Sequence, residues 1–129
     1  MSRALDDLDP RFKPLAMALL ARLVEAKIPV LIVDTRRTPE EHEANLAAGV
    51  SWTTHSKHLD GLAIDVVPFQ QFVLHGIQKV QWDGMDPVWG QMGRIGKAIG
   101  LRWGGDWTQR DLGHFEYVVP VTTASGSQV

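Results

Sequence analysis

The chain has 129 residues, 44% of them hydrophobic, and a formal net charge of -2. This length suits one domain with a single core, and the slightly acidic balance lacks the basic excess typical of nucleic-acid-binding proteins, so no nucleic-acid partner is expected. The absence of cysteine excludes disulfides, thiolate metal sites and a cysteine nucleophile. A metal ion would therefore have to be held by histidine, aspartate and glutamate side chains.

Charged residues flank and interrupt the first apolar run of the chain. Asp6, Asp7 and Asp9 precede it, and Arg22 and Glu25 interrupt it. Neither pattern fits a secretory signal or a membrane-spanning helix. The sequence therefore predicts no membrane insertion and a chain made in the cytoplasm.

Apolar residues recur at helical spacing in the next segment and predict an amphipathic helix over about Pro10 to Ala26. Its buried face is expected to be wide and to comprise Leu15, Ala16, Leu19, Leu20, Leu23 and Val24. The short apolar run that begins at Pro29 then predicts a buried strand that ends at Asp34.

A second helix is predicted by the signals at its N-terminus. Thr38 can cap a helix, Pro39 fits the first helical position, and Glu41 completes a capping box. The helix should extend to about Ala48, and Gly49 should end it.

The segment from Leu62 to Val67 alternates in a way that predicts a strand. Its even-numbered residues would share one face, which places Asp65 on the other face beside the small Ala63. An aspartate inside an apolar strand costs desolvation unless a positive or hydrogen-bond-donating group meets it. Asp65 is therefore a candidate functional residue.

The last part of the chain predicts a helix, a loop and a strand. Asp86 and Pro87 are typical of a helix start, and the helix should end at Gly100, although three internal glycines weaken its propensity. A turn-rich loop over residues 103–107 follows. Residues 114–119 then predict a strand with polar residues on one face.

These elements indicate the fold class. Helices and strands alternate without a regular βαβ period, which favours an α+β domain with a small antiparallel sheet flanked by helices. We expect residues 1–121 to form this single domain and residues 122–129, which are small and polar, to form a flexible tail.

Three residues in different parts of the chain could hold a catalytic metal ion. Such a site needs about three protein ligands and an open position for water, and His58, Asp65 and His114 offer suitable atoms. Each of them alone has a plainer interpretation, as a turn, strand or edge residue. Other catalytic patterns fit worse: there is no G-x-S-x-G sequence, and His42-Glu43 lacks the second histidine, at Leu46, of a zinc-binding helix.

Two motifs carry a resemblance to a known family. "SKHLDGLAID" resembles the S-x-H-x-x-G-x-A-x-D motif, and "DLGHFEY" resembles the D-x-x-H-F-E motif, of the zinc peptidases that comprise D-alanyl-D-alanine carboxypeptidases, dipeptidases and phage L-alanyl-D-glutamate endolysins. Three further stretches, "LDDLDPRF", "RTPEEHEANLAAG" and "GLRWGGDW", resemble the endolysin-type members. The resemblance covers nearly the whole chain apart from the tail.

The resemblance implies the fold of these peptidases and roles for particular residues. His58, Asp65 and His114 match the ligands of a zinc ion (Zn2+). Asp111 matches the catalytic carboxylate, and Arg37 matches an arginine that polarises or anchors the substrate. One member of the pair Arg36 and Arg37 could simply be solvated, and the match to the motif favours Arg37 as the functional one.

Two positions depart from the family's pattern. His42 stands where relatives commonly have glutamine, and Gly113 stands where they often have proline before the final histidine. Neither change removes a ligand. The change at Gly113 is expected to loosen the geometry between Asp111 and His114.

The remaining candidates have less specific signals. Ser56 could bind substrate or orient a ligand, or it could cap a turn, and Glu116 could support His114 or face solvent. Among the tryptophans only Trp107 is expected to line a substrate cleft. His55 is a reserve ligand candidate, and His75 is not expected to be a ligand.

The function that the resemblance implies is that of a phage or prophage endolysin. It would hydrolyse the stem peptides of bacterial peptidoglycan, at the L-alanyl-D-glutamate bond, as a monomer. It would accumulate in the host bacterial cytoplasm and reach the cell wall after holin-mediated release. The alternatives are a D-alanyl-D-alanine carboxypeptidase and a zinc-binding module without catalysis.

Overall fold

A computed structural model describes residues 2–48, 56–69, 80 and 83–118 of the chain. Its helices are α1 (Lys13–Glu25), α2 (Pro39–Ala47) and α3 (Val88–Ala98). Its strands are β1 (Val30–Asp34), β2 (Ala63–Pro68), β3 (Arg102–Trp103) and β4 (His114–Glu116). The strands form one antiparallel sheet in the order β1-β2-β4-β3, which confirms the predicted α+β class. The assignment of residues 1–121 to a single domain stays a prediction, and the tail lies outside the described residues.

The register of the inner strands sorts their side chains onto two faces of the sheet. Asp65 of β2 lies opposite His114 of β4, and Ala63 lies opposite Glu116. Directly opposed residues in antiparallel strands point to the same face, so these four side chains share one face. This confirms that His114 and Glu116 lie on the same side of their strand.

The other face of the sheet packs on the hydrophobic core. Ile64 of β2 lies opposite Phe115 of β4, which in turn lies opposite Trp103 of β3, and all three side chains are buried. Successive side chains along these short strands alternate between the core face and the face that carries Asp65 and His114.

Helix α1 covers the core with a narrower face than predicted. Ala16, Leu19 and Leu23 are buried, whereas Val24 is 66% exposed, so its placement on the buried face was wrong. The helix begins at Lys13, because residues 10–12 form turns instead of a first helical turn. Among the described residues, no helix has both the length and the apolar character needed to cross a membrane.

Glycines allow helix α3 to lie close to the core face of the sheet. The predicted helix is confirmed, and Gly100 follows it with a φ of 92°, in the left-handed region that favours glycine. A Cβ atom at Gly93 would overlap the Trp103 ring, and one at Gly96 would overlap the Phe115 ring. Two of the three glycines that weaken helix propensity therefore permit this packing.

Helix α2 begins with the predicted capping box. Thr38 Oγ1 accepts a hydrogen bond from Glu41 N at 3.1 Å, and Glu41 Oε1 accepts one from Thr38 N at 2.9 Å.

Strand β1, which precedes α2, differs from its prediction. It is an edge strand with Leu31 46% exposed, not a buried strand, because β2 is its only partner among the strands that the structure describes. Gly49 lies outside the described residues.

The C-terminal elements are shorter than predicted. Strand β4 ends at Glu116. The region predicted as a loop contains strand β3 and a 3-10 turn over Gly104–Asp106. This turn leads the chain from the edge of the sheet back to the start of β4, where the candidate site lies.

Candidate metal centre

Three side chains converge on one side of the inner strands. His58 comes from a 3-10 turn, Asp65 from the middle of β2 and His114 from the first residue of β4. Each offers one ligand atom, and these atoms lie within 4.8 Å of one another. The structure thus brings together the three residues that the sequence singled out, in a group that could hold a metal ion.

Local sequence explains how His58 reaches this position. Ser56 Oγ accepts a hydrogen bond from His58 N at 3.2 Å and caps the 3-10 turn. Gly61 ends the turn with a φ of 71°, in the left-handed region that favours glycine, and turns the chain into β2. Asp9 N donates to Gly61 O at 2.9 Å, so the N-terminal segment supports the turn from behind. Ser56 therefore has the capping role, and its contact with substrate stays a prediction.

The imidazole of His58 is arranged as a metal ligand requires. Its Nδ1 donates to the carbonyl oxygen of Thr35 at 2.9 Å, which leaves the lone pair on Nε2. This Nε2 is buried without a hydrogen-bond partner, and it lies 3.1 Å from Asp65 Oδ2. A backbone carbonyl that fixes one ring nitrogen while the other is free is the usual support of a metal-binding histidine. The residues therefore fit a metal ion.

His114 is held by carboxylates at both ring nitrogens. Nδ1 lies 2.9 Å from Asp65 Oδ1, and Nε2 donates to Glu116 Oε1 at 2.8 Å. Burial disfavours the imidazolium, but the hydrogen bonds to Asp65 and Glu116 outweigh it and raise the pKa of His114 to about 10. Glu116 is itself buried, so it supports His114 instead of facing solvent.

The carboxyl group of Asp65 contacts the rings of both His58 and His114. Burial opposes its ionisation, but the contacts with His114 and His58 outweigh this effect and hold the pKa of its carboxyl well below the ordinary value. The desolvation cost inferred from the apolar strand is thus offset within the same cluster.

Asp111 is a second carboxylate at the edge of this cluster. Its Oδ2 lies 3.7 Å from His114 Nδ1, and its side chain is 42% exposed. Burial, and then the negative charge of Asp65, raise the pKa of Asp111 above its ordinary value. A raised pKa and a partly open position suit a carboxylate that exchanges protons with a substrate.

Two glycines set the position of the segment that carries Asp111 and His114. Asp111 N donates to Gly104 O at 3.0 Å, and a Cβ atom at Gly104 would overlap Asp111 O. Gly113 O accepts from Val66 N at 2.9 Å, and a Cβ atom at Gly113 would overlap Val66 O. Gly113 therefore lets this segment pack closely against β2, and the expected loosening between Asp111 and His114 stays a prediction.

The loop between β1 and α2 forms the wall beside His58. Arg37 N donates to His58 O at 3.0 Å, and Arg37 Nη2 donates to Asp34 Oδ2 at 2.9 Å. Arg36 is exposed, whereas Arg37 lies beside His58, and the choice of Arg37 as the functional member of the pair stays a prediction. Asp34 and Thr35 are also buried here, and they were missed by the sequence analysis. The signal that could have found them is a polar pair at the end of an apolar strand.

Trp107 is the tryptophan nearest to the cluster in the described chain. Its ring centroid lies 4.9 Å from that of His114, at an interplanar angle of 49°, and the side chain is partly exposed. Trp89 and Trp103 are buried in the core, as tryptophans more often are. His55 and His75 lie outside the described residues.

Comparison with known proteins agrees with this geometry. A family model described as D-alanyl-D-alanine carboxypeptidase matches residues 49–117, more than half of the chain. The L-alanyl-D-glutamate peptidase of Listeria phage A118 is 38% identical over 82 residues, which are 63% of this chain and 27% of that protein. The chain thus spans about a quarter of the length of this relative.

Two solved structures share the fold. The L-Ala D-Glu endopeptidase ChiX of Serratia marcescens matches with a TM-score of 0.70 and 23% identity, over 88% of this chain and 83% of its own. The D,D-pentapeptidase VanY from a VanB-type resistance cassette, an E175A mutant in complex with Zn(II), matches with a TM-score of 0.57 and 18% identity, over 87% of this chain and 73% of its own. With the matched segment and the His-Asp-His cluster that lies within it, the chain belongs to the D-alanyl-D-alanine carboxypeptidase family of peptidases.

Proposed function

We propose that this protein is a phage or prophage endolysin, a zinc-dependent peptidase that hydrolyses peptidoglycan stem peptides at the L-alanyl-D-glutamate bond. The observation that carries the proposal is the buried cluster of His58, Asp65 and His114 with Asp111 at its open edge. The choice of bond is supported by the phage relative, which is an L-alanyl-D-glutamate peptidase.

Zn2+ is the cofactor we propose, held by His58 through Nε2, by a carboxylate oxygen of Asp65 and by His114 through Nδ1. The free Nε2 of His58 and the engagement of His114 Nε2 by Glu116 support this choice of atoms. When bound, zinc supplies a Lewis acid that polarises the scissile carbonyl and makes water a better nucleophile near neutral pH.

Asp111 is proposed as the proton carrier. It accepts a proton from the attacking water and delivers that proton to the leaving amine, which breaks the peptide bond. Its raised pKa supports this role, because a carboxylate with an ordinary, lower pKa is a weaker base and accepts a proton from water less readily near neutral pH.

Arg37, Trp107 and Ser56 are proposed to contact the substrate. Arg37 would donate hydrogen bonds to a carbonyl or carboxylate oxygen, which its planar guanidinium suits. Trp107 would line the cleft beside His114. The hydroxyl of Ser56, at the start of the 3-10 turn that carries His58, would contact the peptide. If Arg36→Ala reduces turnover more than Arg37→Ala does, the assignment within the pair is wrong.

The biological setting proposed follows from the endolysin function. The protein would act as a monomer, accumulate in the host cytoplasm and reach the wall through a holin-dependent lesion. The relative from a Listeria phage supports the phage origin in this proposal.

The test is digestion of peptidoglycan from a Gram-negative bacterium, with and without chelator, with the products identified by mass spectrometry. Chelator-sensitive release of peptides that begin at D-glutamate is the expected result. Loss of terminal D-alanine alone would indicate a carboxypeptidase instead. Bound zinc with no product from any wall preparation would indicate a binding module without catalysis.

A further inference from the structure

We infer that His42, on helix α2, is a positioning residue that fixes the guanidinium of Arg37 in the site. For its effect on hydrolysis, this inference rests on the proposed function. The contact itself can be observed without any hydrolysis.

The guanidinium of Arg37 is held from two sides. Nη2 donates to Asp34 Oδ2 at 2.9 Å, and Nη1 lies 3.3 Å from His42 Nδ1. Both partners are buried, with Asp34 1% and His42 3% exposed. Because a guanidinium has no acceptor, His42 Nδ1 must accept this hydrogen bond, so the ring is neutral with its proton on Nε2.

The two contacts restrict how Arg37 can move. A planar guanidinium engaged at both terminal nitrogens cannot rotate without losing one of the hydrogen bonds. Each terminal nitrogen keeps a second N–H, and the Arg37 side chain is 12% exposed, so the held guanidinium can still donate to an oxygen atom of the substrate. Arg37 N also donates to His58 O, so the backbone that carries this guanidinium is tied to a proposed metal ligand.

The position of His42 on α2 gives the contact its direction. Asp34 ends β1, so it holds Arg37 from the sheet, whereas His42 holds it from the helix. Without His42 the guanidinium would keep one anchor and gain rotational freedom about it. We therefore expect the site to depend on the acceptor atom Nδ1 of His42 more than on the volume of its ring.

Four variants and one control test the inference by steady-state kinetics on stem peptides. His42→Leu removes the acceptor, and His42→Gln restores an acceptor oxygen. Arg37→Ala, alone and combined with His42→Leu, completes a double-mutant cycle. Glu43→Gln, at the exposed neighbour on the same helix, is the matched control and should keep wild-type rates.

We expect His42→Leu to lower kcat/KM by about tenfold or more, the loss that one hydrogen bond to a charged group produces. His42→Gln should recover most of this loss, and His42→Leu should cause no further loss in the Arg37→Ala background. Zinc content and thermal midpoint, measured on every variant, separate these effects from misfolding. Additive losses in the cycle, or a His42→Gln variant as impaired as His42→Leu with an unchanged midpoint, would overturn the inference.

Nuclear magnetic resonance supplies a readout that does not depend on catalysis. Long-range proton–nitrogen correlation spectra should show Nδ1 of His42 unprotonated, and rotation of the Arg37 guanidinium should be slow in wild type and His42→Gln but fast in His42→Leu. A proton on Nδ1 of His42 would refute the contact. If the wild-type protein hydrolyses no peptidoglycan, the proposed function fails, while these spectra still decide the role of His42.

Discussion

Zinc binding should be coupled to the release of one proton from His114, and the affinity should therefore rise steeply with pH. In the metal-free protein, hydrogen bonds to Asp65 and Glu116 raise the pKa of His114 to about 10, so the ring is protonated at neutral pH. A histidine must be neutral to bind a metal ion. Binding at pH 7 therefore has to remove a proton from a group that titrates about three units higher, which costs about 4 kcal/mol of apparent affinity.

Calorimetry measures this coupling directly. Titration of the metal-free protein with zinc in buffers of different ionisation enthalpy gives the number of protons released, and we expect about one per site between pH 7 and 9. The apparent association constant should rise about tenfold per pH unit in this range and level off above pH 10. An affinity that stays constant from pH 6 to 9, or a proton count near zero, would refute the protonation state assigned to His114.

The same pKa has an opposite effect on the stability of the metal-free protein. A group whose pKa is raised on folding stabilises the fold fully below its unfolded pKa, and this contribution falls as the pH rises through the folded value. The thermal midpoint without zinc should therefore fall between about pH 6.5 and 10. The gap between the zinc-bound and metal-free midpoints should widen over the same range.

Three substitutions test other features. Asp111→Asn should keep zinc, measured by metal analysis, and reduce kcat by about 10²-fold or more, because it removes the proposed proton carrier; a near-wild-type rate would remove that role. Gly113→Ala should lower the free energy of unfolding by about 1–3 kcal/mol in denaturant titrations, since its Cβ atom would overlap Val66 O, and an unchanged midpoint would contradict the close packing. Thr38→Ala should cost about 1 kcal/mol through loss of the capping hydrogen bond to Glu41, with an unaltered zinc affinity.

Local patterns in the sequence were enough to predict most elements, but family motifs were needed to group the candidate metal ligands. The alternation around Asp65 gave its face of the strand, and the Thr38 and Glu41 signals gave the start of α2. His58, Asp65 and His114 could be grouped because two motifs resemble one family, since neither periodicity nor composition links residues so far apart in the chain.

Features that depend on distant packing could not be predicted in this way. The exposure of Leu31 follows from the position of β1 at the sheet edge, and strand order has no local signal. Gly93 weakens helix propensity and Gly113 departs from the family's pattern. At each position, however, a Cβ atom would overlap a neighbour from another element. The contact between His42 and Arg37 likewise depends on the orientation of α2 relative to β1, which local sequence does not predict.

The order of the strands divides the site into two parts with different tolerance to change. Asp65 and His114 lie on the inner strands β2 and β4, each of which is paired on both sides. Arg37 and Trp107, in contrast, follow the edge strands β1 and β3, on segments that can be altered without breaking an inner ladder. Loops grafted after the edge strands could thus direct the proposed peptidase to a different peptide, while the inner strands keep Asp65 and His114 in place.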